Sequence, residues 1–165
     1  MAAVVQQFDA ARSVAQECLE VFRKFEDKEG EYESLMSLGR ALQFVEGMEQ
    51  RTAVQRQALA LARSMGDVWR QANALAMLGW DQRDPRQGRA YWEESITLLR
   101  QTGDWLYLAR TLGILGFTIL SNGELEPAEK LLEEAYGLSQ QIYDREGEEF
   151  ILTGKSQLSL LHGDF

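Results

Sequence analysis

The chain has 165 residues, enough for one ordinary domain with a real core, and its 45% hydrophobic content fits neither a disordered chain nor a membrane-embedded one. A net charge of −9, without any cluster of Lys or Arg, argues against nucleic-acid and anionic-membrane partners. Cys18 is the single cysteine, so an internal disulfide is impossible.

Helical periodicity runs through the whole chain. Val5, Phe8, Arg12, Ala15, Leu19 and Phe22 recur at spacings of three and four, which predicts an amphipathic helix over 2–26. Leu35, Leu38 and Leu42 predict a second over 28–46. The third, 49–65, stops at Gly66-Asp67, a glycine terminator followed by an aspartate start. A fourth follows over 67–82. Asp84 before Pro85 is an N-cap with proline in the first turn, opening a fifth over 85–102. Gly103-Asp104 repeats the stop-and-start signal before a sixth, 104–121, built on Leu112, Leu115 and Ile119. Asn122-Gly123 leads to a seventh over 124–142, with Pro127 in its first turn, and the eighth spans 144–162. No segment alternates strictly enough to predict a strand. The longest apolar stretch, Leu112 to Leu120, carries two glycines and a threonine and falls far short of a membrane span. The N-terminus lacks the basic start and long apolar run of a signal peptide, so a soluble, cytoplasmic protein is expected.

A longer period is superimposed on the helices. Asp27, Asp67, Asp104 and Asp144 are 40, 37 and 40 residues apart. Nine residues before each lies Cys18, Ala58, Ser95 or Ala135; twelve after each lies Gly39, Gly79, Gly116 or Ser156. Repetition in this range marks an array whose units bury their apolar faces by stacking on neighbours. Each helix-interior glycine costs about 1 kcal/mol relative to alanine. The expected gain is close approach of the partner helix, through the small residues Ala58, Ser95 and Ala135.

Leu112, Leu115, Gly116, Gly123, Ala128, Leu132 and Ala135 reproduce in order the pattern of a tetratricopeptide (TPR) repeat. Leu75, Leu78 and Gly79 match its first half, as do Leu35, Leu38 and Gly39. The chain therefore resembles the TPR family over essentially its whole length. The resemblance implies an all-α fold: a TPR-like α-α superhelix of about eight antiparallel helices, in one domain over 1–165. Its units fall near 9–27, 28–67, 68–104, 105–144 and 145–165. Two departures stand out. The period exceeds the usual ~34 residues, and Arg51 and Gln55 stand where Ala128 and Leu132 stand later, so the second helix of that unit should pack less closely. The long period and the Gly-Asp turns are similar to the TPR arrays of bacterial STAND-type signalling ATPases and related regulators.

The resemblance also implies a concave recognition face. Offsets of −6, −3, +1 and +4 from each anchoring small residue share one face of each first helix. The candidate binding residues on it are Met36, Arg40, Gln43, Asn73, Trp80, Arg83, Arg110, Phe117 and Gln157. Arg40, Arg83 and Arg110 would form a cationic patch suited to a carboxylate or phosphate. Trp80 and Phe117 occupy one slot in successive units and are residue types enriched at binding hot spots. The same residues read equally well as inter-repeat core with solvated arginines. The Lys/Asn clamp by which co-chaperone relatives hold a C-terminal carboxylate has no counterpart here.

Other chemistry fails. His162 is the only histidine, so no His-based metal cluster or catalytic dyad can form, and a surface or stacking role is expected for it. Cys18 fills a small-residue slot and is expected to be a buried, inert thiol. Adjacent pairs such as Glu133 and Glu134 point to different helix faces. No phosphate-binding glycine loop is present. No enzyme, metal or cofactor is expected. The chain begins with a second-type helix and ends with a first-type one carrying Leu158, Leu160 and Leu161, which suggests a segment of a longer protein and end-to-end contact with another copy. The leading expectation is a helical-repeat binding module for a peptide, protein or small ligand, the sensor or docking segment of a bacterial regulator. The alternative is a purely structural, self-associating scaffold without a ligand.

Overall fold

The computed structural model describes residues 2–42, 48–82 and 84–162. Among these, the regular structure is eight helices: α1 (Ala2–Lys24), α2 (Lys28–Leu42), α3 (Met48–Met65), α4 (Val68–Trp80), α5 (Pro85–Thr102), α6 (Trp105–Ser121), α7 (Leu125–Ile142) and α8 (Arg145–His162). Two compact units form, residues 1–91 and 92–165, with the division inside α5.

The aspartates that set the long period are helix caps. Asp27 accepts hydrogen bonds from the Glu29 and Gly30 amides at 3.1 and 3.0 Å. Asp67 accepts from the Arg70 amide at 2.8 Å, and Asp104 from the Tyr107 amide at 3.0 Å. Asp144 accepts from the Gly147 amide. Each thus satisfies an orphan donor in the first turn of α2, α4, α6 or α8. The residue before each cap is left-handed: Glu26 (φ 56°), Gly66 (69°), Gly103 (73°) and Tyr143 (58°). In three cases the aspartate's own N–H closes the preceding helix, donating to the carbonyls of Phe22, Ala62 and Ser139 at 3.0, 3.2 and 3.0 Å.

Glu26 and Tyr143 hold that conformation without being glycine, which costs a side chain about 1–2 kcal/mol. Tyr143 is 89% exposed. Tyr143→Gly therefore removes strain without removing packing and should raise stability by about 1 kcal/mol, read as a higher urea midpoint.

In unit 1, α2 packs between α1 and α3, and α3 packs on α4. Its core is built on Tyr32, Leu35, Met36, Ala58, Ala62, Leu75 and Leu78. Tyr32 is wholly buried, and its hydroxyl donates to the Arg70 carbonyl at 2.9 Å. The Arg70 guanidinium lies 5.5 Å from the ring centroid. Burial pushes the Tyr32 phenol far above its ordinary range.

In unit 2, α6, α7 and α8 pack pairwise around Leu112, Leu115, Ile119, Leu132 and Ile151. Leu132 is the central wedge. A Cβ at Gly116 would sit 3.0 Å from its Cγ, and one at Gly154 would sit 3.1 Å from its Cδ2. The atoms nearest a Cβ at Gly116 thus belong to Leu132 and, at 3.3 Å, to Leu131. At Gly39 the nearest atom is the Gln55 Cγ at 3.5 Å, an ordinary contact that leaves room for a methyl group.

Candidate functional site

The polar departures in α3 shape a place in unit 1 where buried polar chemistry meets a cavity. A cleft of about 370 Å³ is lined by Gly39 and Arg40 of α2, Arg51 and Gln55 of α3, and Met77, Trp80 and Asp81 at the end of α4. Where unit 2 has Leu132 against Gly116, with Ala128 one turn before it, unit 1 has Gln55 against Gly39, with Arg51 one turn before it. Arg51 extends to Asp81 in a direct ion pair, their side chains 15% and 1% exposed. Asp81 itself sits where the other units carry Ala41, Thr118 and Leu158.

Burial raises the Asp81 carboxyl above its ordinary value, against the opposing pull of Arg51 and a hydrogen bond from Gln55. Three atoms of this cluster are buried without a hydrogen-bond partner: Arg51 Nε, Gln55 Oε1 and Asp81 Oδ2. Buried polar groups are nearly always satisfied, so such a concentration calls for a cause. Two exposed side chains complete the lining. Trp80 is 55% exposed, and Arg40 donates to the Ser37 hydroxyl at 3.1 Å.

The predicted site residues do not all gather there. Arg40 and Trp80 share the cleft. Met36 and Asn73 are buried in the core of unit 1, Asn73 hydrogen-bonding the Tyr32 hydroxyl. Both are covered by neighbouring residues, although Arg40 and Trp80 on the same faces are exposed. Gln43 and Arg83 lie outside the described residues, as does the His162 side chain.

In unit 2, Arg110 is committed to Asp144, donating through Nε and Nη2 to both carboxylate oxygens at 3.0 Å. That pair holds the Asp144 carboxyl below its ordinary value, and it removes Arg110 from any cationic patch. Phe117 stacks on Phe150, with ring centroids 5.8 Å apart. Gln157 is exposed on α8. Cys18 departs from expectation: it is half-buried, lining an open groove of about 460 Å³ with Ala15, Phe22 and Ser34.

Sequence reasoning registered Arg51 and Gln55 only as a packing defect, and it missed Asp81. The signal available was a carboxylate at a repeat position that is otherwise small or apolar.

No protein-family model matches the sequence, and no curated protein matches it. Solved structures do. BtubC (BKLC) from P. vanneervenii superposes with a TM-score of 0.80 at 17% identity, covering 95% of this chain and 67% of that one. A putative kinesin light chain from Podosopora anserina, with nearly identical TPR-like repeats, gives 0.65 at 12% identity over 96% and 90%. The fold is TPR-like. Within that TPR-like framework, the cleft arises where the small and apolar residues of the repeat are replaced by Arg51, Gln55 and Asp81. Among the described residues no helix is long and apolar enough to cross a membrane.

Proposed function

We propose that the chain is a non-enzymatic binding module, the cytoplasmic sensor or docking segment of a bacterial regulator, and that its partner enters the α2–α4 cleft. The observation that carries this reading is the cleft itself, with unsatisfied polar groups at buried positions and an exposed tryptophan and arginine in its lining. Aromatic and arginine side chains are the residue types enriched at binding hot spots. The acidic balance of the chain favours a peptide, protein or small ligand over nucleic acid.

Selection of displayed random peptides against the chain, counter-selected on Arg40→Ala/Trp80→Ala, tests it. Both side chains are exposed, so the double variant should keep its helical circular dichroism. Selected peptides should lose about 10-fold or more in affinity for the variant. Peptides that bind both proteins equally would place recognition elsewhere.

One observation favours the scaffold reading. Leu152, Leu160 and Leu161 of α8 are 41%, 65% and 55% exposed, an apolar surface that a second copy would cover. If selection yields no peptide and light scattering shows a concentration-dependent oligomer, self-association is the function.

A further inference from the structure

The unsatisfied atoms of the cleft define what would complete it. Arg51 Nε is a donor; Gln55 Oε1 and Asp81 Oδ2 are acceptors. The charge of Arg51 is already balanced by Asp81. A neutral group with two donors and one acceptor would satisfy all three. A carboxylate supplies no donor and is repelled by Asp81. An ammonium supplies no acceptor for Arg51 and adds a third positive charge beside Arg51 and Arg40. An apolar group leaves all three atoms unmet. Water meets this count, and among ligand groups a primary carboxamide does so with two N–H donors and one carbonyl acceptor on a planar group.

We propose that the α2–α4 cleft recognises a primary carboxamide, with Trp80 and Met77 flanking the stem that carries it. This rests on the cleft being the recognition site. The amide can come from an Asn or Gln side chain of a peptide or from a free small amide such as glutamine. A site built to hydrogen-bond a group rejects the analogue lacking it far more strongly than one that merely accommodates its shape.

The experiment uses the whole chain, with calorimetry and with NMR of the Arg51 Nε–H resonance. The probes are N-acetylglutamine methylamide, N-acetylasparagine methylamide and free glutamine. The controls are the glutamate and methionine counterparts of the first probe. A carboxamide probe should shift the Arg51 resonance and bind about 10-fold or more tightly than either control. Preference for the capped probes assigns the source to a peptide; equal binding of free glutamine assigns it to a small molecule.

Gln55→Leu places in α3 the side chain that Leu132 supplies in α7, beside a glycine in both cases. It should fold, and it should lose the same discrimination. Equal binding of the methionine control, or an Arg51 resonance unmoved by every probe up to tens of millimolar, would mean that the cleft holds ordered water and no amide. If the displayed peptides bind through Arg40 and Trp80 yet show no need for Asn or Gln, the binding module stands and the carboxamide assignment falls. If nothing is selected, the module reading fails first.

Discussion

Arg51→Ala should lose about 3 kcal/mol of stability at neutral pH, measured by urea unfolding. The effect is large because the variant strands a carboxylate, not because it deletes an attraction. The Asp81 side chain is 1% exposed, and its Oδ2 already lacks a partner. Removing Arg51 leaves a buried charge with only Gln55 to stabilise it. The triple change Arg51→Ala, Gln55→Leu and Asp81→Thr should recover stability to within about 1 kcal/mol of the parent or above it, because replacing a whole buried ion pair is often neutral or stabilising. Those residues are the ones unit 2 uses at the same repeat positions: Ala128, Leu132 and Thr118. Thr118 donates to the Ile114 carbonyl one turn back at 2.8 Å.

The deficit of Arg51→Ala also carries a pH signature. A carboxyl whose folded-state pKa is raised holds its proton where the unfolded chain, at 3.8, has released it. Without the pull of Arg51 that carboxyl rises further than in the parent, so the variant gains more stability than the parent as pH falls, and the deficit should shrink from neutrality towards about pH 5. A deficit that is small at all pH would show that Asp81 is hydrated in the folded protein.

Gly116→Leu should cost at least ~2 kcal/mol through overpacking. The wall it meets is Leu132, which is itself fixed on the other side by Gly154. Neither helix can yield without displacing the other, and Leu132 is fully buried. Gly39→Ala serves as the contrast. Its neighbour is a Gln55 methylene at ordinary contact distance, so the better helix former should be neutral to stabilising by up to about 1 kcal/mol. Equal losses at the two sites would mean that the glycines serve a backbone requirement common to both units.

The helices were legible because each end carries its own chemistry. Glycine followed by aspartate at 66–67 and 103–104 marks a stop and a start, and proline at 85 marks a first turn. Glu26 and Tyr143 adopt the same left-handed geometry without glycine, so only the register of the four aspartates locates those joints. The candidate site was less legible. Periodicity tells which residues share a helix face, not which neighbour covers that face. Hence Met36 and Asn73, in register with Arg40 and Trp80, turn out to be core. Nor does it give the reach of a long side chain, by which Arg51 finds a carboxylate 30 positions away and Arg110 one 34 positions away. Arg51 and Gln55 were visible as departures from the repeat. What they do became visible only when Asp81 was seen beside them.

The aspartate joints have a dynamic consequence. At Asp27, Asp67 and Asp144 one residue ties off the helix behind it with its amide and anchors the helix ahead with its carboxylate. The two ends cannot fray separately. Amides on both sides of such a joint should exchange with deuterium at a common rate, and a spring pulled across the chain would release its helices in twos.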